Sequence, residues 1–416
     1  MASLESTAFG LGLPVWSVLP FAGFLLAIAL TPLFAPRFWA NHYGKVSLAF
    51  GAPVAAWFLV AAPGELLHTA VEYGSFIVLL GSLFTISGGI LIAGTIRGTP
   101  AVNCAFLGVG AAAANLFGTT GASMLLIRPL LRANAHRKRA GHVVVFFIFV
   151  VANIGGLLTP IGDPPLFLGY LRGVPFFWTA ANLWHFWLLG TGLVIGIFYL
   201  LDRRAELLEG AAPAAATVEA APLSIEGKGN LFLLVVVIGA VFLSTPWRET
   251  VMAAAAIVSA WTTPARIRKE NDFTYHPIVE VAILFAAIFA TMMPALLILK
   301  ARGAGLGVAA PWHFFWATGA LSSLLDNAPT YLAFLSLAQG LPGPADVAGV
   351  SAPVLRAISA GAVFMGANSY IGNAPNFMVK AIAESAGVRM PSFLGYMAYS
   401  AVVLLPVFAL VTVLFL

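Results

Sequence analysis

Two carboxylates, Asp163 and Asp326, lie inside otherwise apolar stretches of this 416-residue chain, each beside residues that break a helix. Ionisable groups at membrane depth are costly and by default mark an ion or substrate path. A carboxylate taken out of water there is neutralised by a cation or a proton, so the chemistry open to these two is exchange of one for the other. Capping is the plainer role, since Asp ahead of Pro or Asn accepts backbone N–H groups. The roles are compatible, because a carboxylate at a helix terminus also stands where a cation would meet it. Neutral oxygen ligands suited to a hard cation such as Na+ surround them in sequence: Thr119, Thr120 and Ser123; Asn153 and Thr159; Asn327 and Thr330; Asn368, Ser369 and Asn373. Singly, a Ser or Thr in a membrane helix more often bonds its own helix or a neighbour. Their weight comes from repeated placement.

That placement follows from a repeat. Ile161-Gly162-Asp163-Pro164-Pro165 recurs as Ile371-Gly372-Asn373-Ala374-Pro375, about 210 residues later. Gly and Pro remove helical hydrogen bonds, which is tolerated at membrane depth only where the freed backbone lines a cavity. Two matching breaks predict a substrate site near mid-membrane. Gly155, Gly156, Gly366 and Gly372 most simply permit unwinding and close packing.

Hydrophobic residues make up 60% of the chain and charged residues 9%, with a mean hydropathy of +0.95, which predicts an all-α polytopic membrane protein. The apolar run Val15–Ala35 exceeds a signal-peptide core and is expected to be a retained transmembrane helix. The lone Cys104 excludes an internal disulfide and suits a packing role. The net charge of +5 sits in short loops, where it orients the protein against lipid; no nucleic-acid partner is expected.

A span needs about 20 apolar residues. Val15–Ala35, Val46–Ala62, Ser75–Ile96, Leu183–Leu201, Ile278–Leu299 and Ser392–Leu416 meet this, while Leu231–Thr245 and Thr250–Thr263 need their flanks. Val102–Leu116 and Trp312–Leu325 are shorter, about 22 Å as helix, and each runs into a polar tip phrase and a second short arm. They are expected to be re-entrant hairpins, over 102–133 and 312–340. Each precedes an internally broken helix, over 141–172 and 353–387. The expectation is thus two five-helix units, 1–201 and 230–416, joined by a cytoplasmic linker over 202–229. An odd number of spans per unit makes the repeat inverted. Lys and Arg fit this with both termini outside: Arg37, Lys45, Arg97, Arg132, Arg137, Lys138, Arg139, Arg203, Arg204, Lys228, Arg266, Arg268, Lys269 and Arg389 fall inside, but only Arg172, Arg248, Lys300, Arg302 and Arg356 outside.

Lys380 and Glu384, one turn apart, read as an ordinary ion pair, although Lys380 is also placed to act as an internal cation competing with Na+. No His or Cys cluster suggests a transition-metal site, and no phosphate-binding loop suggests a nucleotide-driven pump.

Asn153-Ile-Gly-Gly-Leu-Leu-Thr-Pro-Ile-Gly-Asp163 and Ser323-Leu-Leu-Asp-Asn327 resemble the signature stretches of NhaD-type sodium/proton antiporters. These sit in the wider ion transporter superfamily that also holds citrate, dicarboxylate and arsenite carriers. The resemblance implies inverted repeats, two hairpins facing two broken helices, commonly a homodimer, and elevator-like movement. It carries Asp163 over as the acidic residue of the first break and Asp326-Asn327 as the acidic pair of the second hairpin. Thr119-Thr120 stands where such proteins have a further Asp-Asn pair, and Asn373-Ala374-Pro375-Asn376 departs from the expected Ser-rich phrase.

The leading expectation is therefore a Na+(Li+)/H+ antiporter of a bacterial inner membrane, with Na+ as the transported or coupling ion, no cofactor and no enzymatic activity. Asp163 and Asp326 would bind cation and proton in turn. A Na+-coupled carrier of citrate-like carboxylates is the alternative, using half-helix N-termini to meet the anion; arsenite-like oxyanion efflux is a third. An intramembrane aspartyl dyad fits the symmetry-related placement less well.

Overall fold

The computed structural model describes residues 8–209 and 221–416. The protein is an all-α polytopic membrane protein, and eight helices among the described residues are long and apolar enough to cross a membrane. The first half runs α1 (Leu19–Phe34), α2 (Pro36–Ala61), α3 (Pro63–Ser87), α4 (Pro100–Ala133), α5 (Gly141–Val150), α6 (Pro164–Leu171) and α7 (Trp178–Glu209). The second runs α8 (Lys228–Ala240), α9 (Trp247–Thr262), the short α10 (Ala265–Glu270), α11 (His276–Arg302), α12 (Pro311–Ser322), α13 (Asn327–Gln339), α14 (Ala352–Met365), α15 (Ala374–Ser385) and α16 (Phe393–Phe415). Pro stands in the first turn of most of these helices, where its missing N–H costs nothing.

The 34 residues of α4 are two arms folded at Gly118, whose φ of 75° lies outside the helical region. A straight helix would hold Asn103 and Asn134 about 46 Å apart. Instead their side-chain amides bond reciprocally at 3.0 and 2.7 Å, and Gly98 N–H reaches Ala133 O at 2.8 Å. In the second half α12 and α13 fold back likewise, bringing the Phe314 and Phe334 rings to 6.3 Å between centroids.

The two broken segments form the core. Val143–Ala152 and Ala357–Ala367 are buried on every side, as expected for helices apolar all round. Helix α11 packs against α2, α3 and α13, with Gly51 of α2 letting the backbone of Ala287 approach. The large exposed apolar side chains on α1, α2, α7, α8 and α16, such as Leu26, Leu59, Leu188, Phe232 and Val413, suit a lipid environment.

Two expectations change. Ser75–Ile96 is not one helix: α3 stops at Ser87, before Gly88-Gly89, and β1 (Leu91–Thr95) follows, pairing antiparallel with β2 (Ala221–Glu226). Glycine weakens the helix, and the β-branched residues Ile90, Ile92 and Ile96 then favour extended backbone. The segment 202–229 is likewise not a bare linker, because α7 continues to Glu209 and β2 supplies a strand. Residues 210–220 of that segment lie outside the described residues.

Candidate functional site

The breaks take the same local form. Each contains a short 3-10 turn, Ile154–Leu158 or Gly366–Asn368, leaves it through an extended hydroxyl residue, Thr159 or Ser369, and re-enters helix after an extended N-cap. Those N-caps are Asp163 (φ −144°, ψ 144°) and Asn373 (φ −154°, ψ 139°). Gly156 and Gly162 approach each other so closely that a Cβ on Gly162 would sit 2.2 Å from Gly156 O, and a Cβ on Gly372 would sit 2.5 Å from Gly366 O. Glycine is required here by close approach of two backbones.

The hydroxyls pin each break to a hairpin. Thr159 Oγ1 donates to Asn115 O at 2.6 Å and Ser369 Oγ to Ser323 O at 2.5 Å. Ser369 Oγ also accepts from Gly372 N–H at 3.1 Å, as Thr159 Oγ1 does from Gly162 N–H at 3.1 Å. Thr330 bonds Asp326 O, a turn back in its own helix. These three hydroxyls therefore hold backbone. Matching Asn115 with Ser323 also places Gly118 opposite Asp326 and Thr119 opposite Asn327. The first hairpin thus lacks its carboxylate at Gly118, one residue earlier than the Thr119-Thr120 phrase suggests.

Asp163 is the point of convergence and is fully buried. It accepts from Thr119 Oγ1 at 2.8 Å, Asn327 Nδ2 at 2.5 Å and Asn373 Nδ2 at 3.0 Å. Both hairpin tips and the opposite break therefore meet one carboxylate. The Asp163 side chain makes no capping bond to its own helix: Pro164 and Pro165 lack N–H groups, and the Leu166 N–H bonds the Asp163 carbonyl at 3.0 Å. The capping explanation holds instead for Asp326, which is half-buried and accepts from Ala328 N–H at 3.0 Å. Asp326 precedes Asn327, so the two carboxylates stand at the same junction. The buried ion pairs lie elsewhere, as in Arg172 with Glu72 and Arg137 with Asp202.

Asn153 is buried behind the site. It donates to Ile148 O and Asn376 Oδ1, and accepts from Asn373 at 3.3 Å. Asn376 in turn donates to Gly366 O and Ser369 O. Asn368 donates to Ser323 Oγ, which places it beside the second hairpin and not on Asp163. Ser123 is buried and its hydroxyl has no partner among the described residues. Thr120 lines a small cavity with Phe84, Gly118, Ile161 and Pro164. Lys380 pairs with Glu384 at 2.8 Å and leans on the Tyr370 ring.

Two residues of the framework are not apparent as site residues in the sequence. Asn115 donates to Gly155 O at 2.7 Å and accepts from Leu158 N–H at 2.8 Å, and Asn376 closes the second break. The available signal was weak: Asn115 is a lone amide in an apolar arm, one turn before Thr119.

A family model described as "Putative citrate transport" matches residues 10–416. No curated protein matches the chain.

Proposed function

The chain belongs to that citrate-transport family, and from this premise we propose that it is a secondary active transporter exchanging Na+ or Li+ for H+, close to the NhaD-type branch. The observation that carries this reading is a single buried carboxylate held by three neutral donors from three separate elements. Such a group binds one monovalent cation or one proton, and competition between them at one site is sufficient for exchange. Asp326 adds negative charge at the same junction, and Thr119, Asn327 and Asn373 supply neutral oxygens of the kind Na+ takes. On this reading the hairpins re-enter the membrane from opposite faces and the repeats are inverted. The elements bearing the site move as a body, and the termini lie outside a bacterial inner membrane. A homodimer is the proposed assembly.

The family description favours a second reading, Na+-coupled uptake of a citrate-like anion. An anion would look for helix N-termini. That of α6 opens with two prolines that lack N–H groups, and that of α13 is already occupied by the Asp326 carboxylate. Lys380, the cation best placed by sequence to help, is engaged with Glu384. The test is isotope flux in proteoliposomes. Inside-acid vesicles should accumulate labelled Na+ without citrate, whereas citrate accumulation driven by a Na+ gradient would favour the second reading.

A further inference from the structure

The three donors on Asp163 are not equivalent. Asn373 Nδ2 is shared among Asp163 Oδ1, Ala152 O at 3.1 Å and Asn153 Oδ1 at 3.3 Å. Turning that amide over would strip two other buried acceptors of their donor. Asn327 Nδ2 has one partner among the described residues, Asp163 Oδ2; its Oδ1, like that of Asn373, is buried with none, so the two amides differ in what turning them would leave unpaired. An unmet buried amide oxygen is costly and needs an explanation. The χ2 torsion of Asn is broad and roughly two-fold, so exchanging nitrogen for oxygen requires no backbone movement.

Resting on the cation-exchange reading above, we propose that Asn327 is a switching residue of the site and Asn373 a fixed donor. Without a cation, the Asn327 amide donates to the Asp163 carboxylate. With Na+ on Asp163, the amide is turned and its Oδ1 becomes a ligand, while Thr119 makes the same change by rotating its O–H. Asn373 stays as it is and holds the carboxylate in register. This makes Asn327 a determinant of cation affinity to the extent that its Oδ1 binds Na+ more strongly than its Nδ2 binds the empty carboxylate.

The test is difference infrared spectroscopy on the purified full-length protein, with asparagine carrying a 13C-labelled side-chain carbonyl, on replacing choline by Na+. The expected result is a Na+-induced shift of a labelled amide carbonyl band alongside a carboxylate band. Asn327→Leu should abolish the amide shift and weaken Na+ binding about tenfold or more, while Asn373→Leu should retain the amide shift. A carboxylate response without any amide response in the wild-type protein overturns the proposal, as does an amide shift that survives in Asn327→Leu. The wild-type measurement decides even where a variant does not fold. Absence of both responses removes the cation reading itself.

Discussion

Asp163 and Asn373 occupy the same position in the two broken helices, 210 residues apart, and they touch: Asn373 Nδ2 donates to Asp163 Oδ1 at 3.0 Å. The two copies of the helix-breaking phrase are therefore brought together as one site. Because one partner is an acid and the other its neutral amide, a repeated local structure yields an asymmetric charge arrangement with a single carboxylate at the contact. Gly118 opposite Asp326 repeats that asymmetry at the hairpin tips.

Asp326→Asn separates capping from chemistry. Asn caps a helix about as well as Asp, so stability should change by less than about 0.5 kcal/mol. Exchange should nevertheless fall, since the negative charge beside Asn327 is lost. Melting of the purified variant, compared with its flux, checks this. A variant that exchanges as fast as the wild type would show that Asp326 only caps.

Glycines at the breaks should be intolerant. Gly118→Ala forces an L-residue to φ 75°, which costs about 1–2 kcal/mol, and its Cβ would sit 3.3 Å from Ile161 O. Gly372→Ala would place a Cβ 2.5 Å from Gly366 O and 2.7 Å from Ser322 O, so the break itself must shift. Gly192→Ala in α7 meets nothing within 4 Å and should stabilise by about 0.5–1 kcal/mol. Thermal melting in detergent should rank the three accordingly.

Asp202→Ala should be among the most damaging substitutions away from the site. Asp202 is fully buried and receives Arg137, His142 at 2.7 Å and Asn103 at 2.9 Å, joining the base of the first hairpin to α5 and α7. Removing the carboxylate leaves the buried Arg137 guanidinium without its partner, at a cost of about 3–5 kcal/mol. The expected outcome is a large loss of folded protein, seen as a fall in the monodisperse peak on size exclusion.

The proposed orientation predicts labelling from opposite sides. In a Cys104→Ser background, Lys138→Cys should react with a membrane-impermeant maleimide only from the cytoplasmic face, and Ser244→Cys only from outside. Both positions are exposed. Labelling of both from one face would contradict the five-span unit.

The breaks were legible in the sequence because Gly and Pro act locally: Ile161–Pro165 and Ile371–Pro375 interrupt helices wherever the chain places them. Asp163 was legible because a lone carboxylate in an apolar stretch has few other uses. What the sequence withheld depends on contacts between distant residues. Asn115 and Asn376 are single amides whose partners, Gly155, Leu158, Gly366 and Ser369, lie on other turns or elements. The β1–β2 pair joins residues about 130 positions apart, so apolar content made Leu91–Thr95 look like the end of a helix. The tip alignment slipped by one residue because Thr119-Thr120 resembles a polar pair, whereas the hydrogen bonds to Thr159 and Ser369 set the true match.

The most direct measurement is dye-monitored collapse of a pH gradient in proteoliposomes on addition of Na+, Li+ or K+, for the wild type beside Asp163→Asn. An amide at 163 keeps the size of the side chain and removes its charge, so the variant should fold and leave the gradient intact, while Na+ and Li+ collapse it for the wild type and K+ does not. Exchange by Asp163→Asn at the wild-type rate would contradict the account.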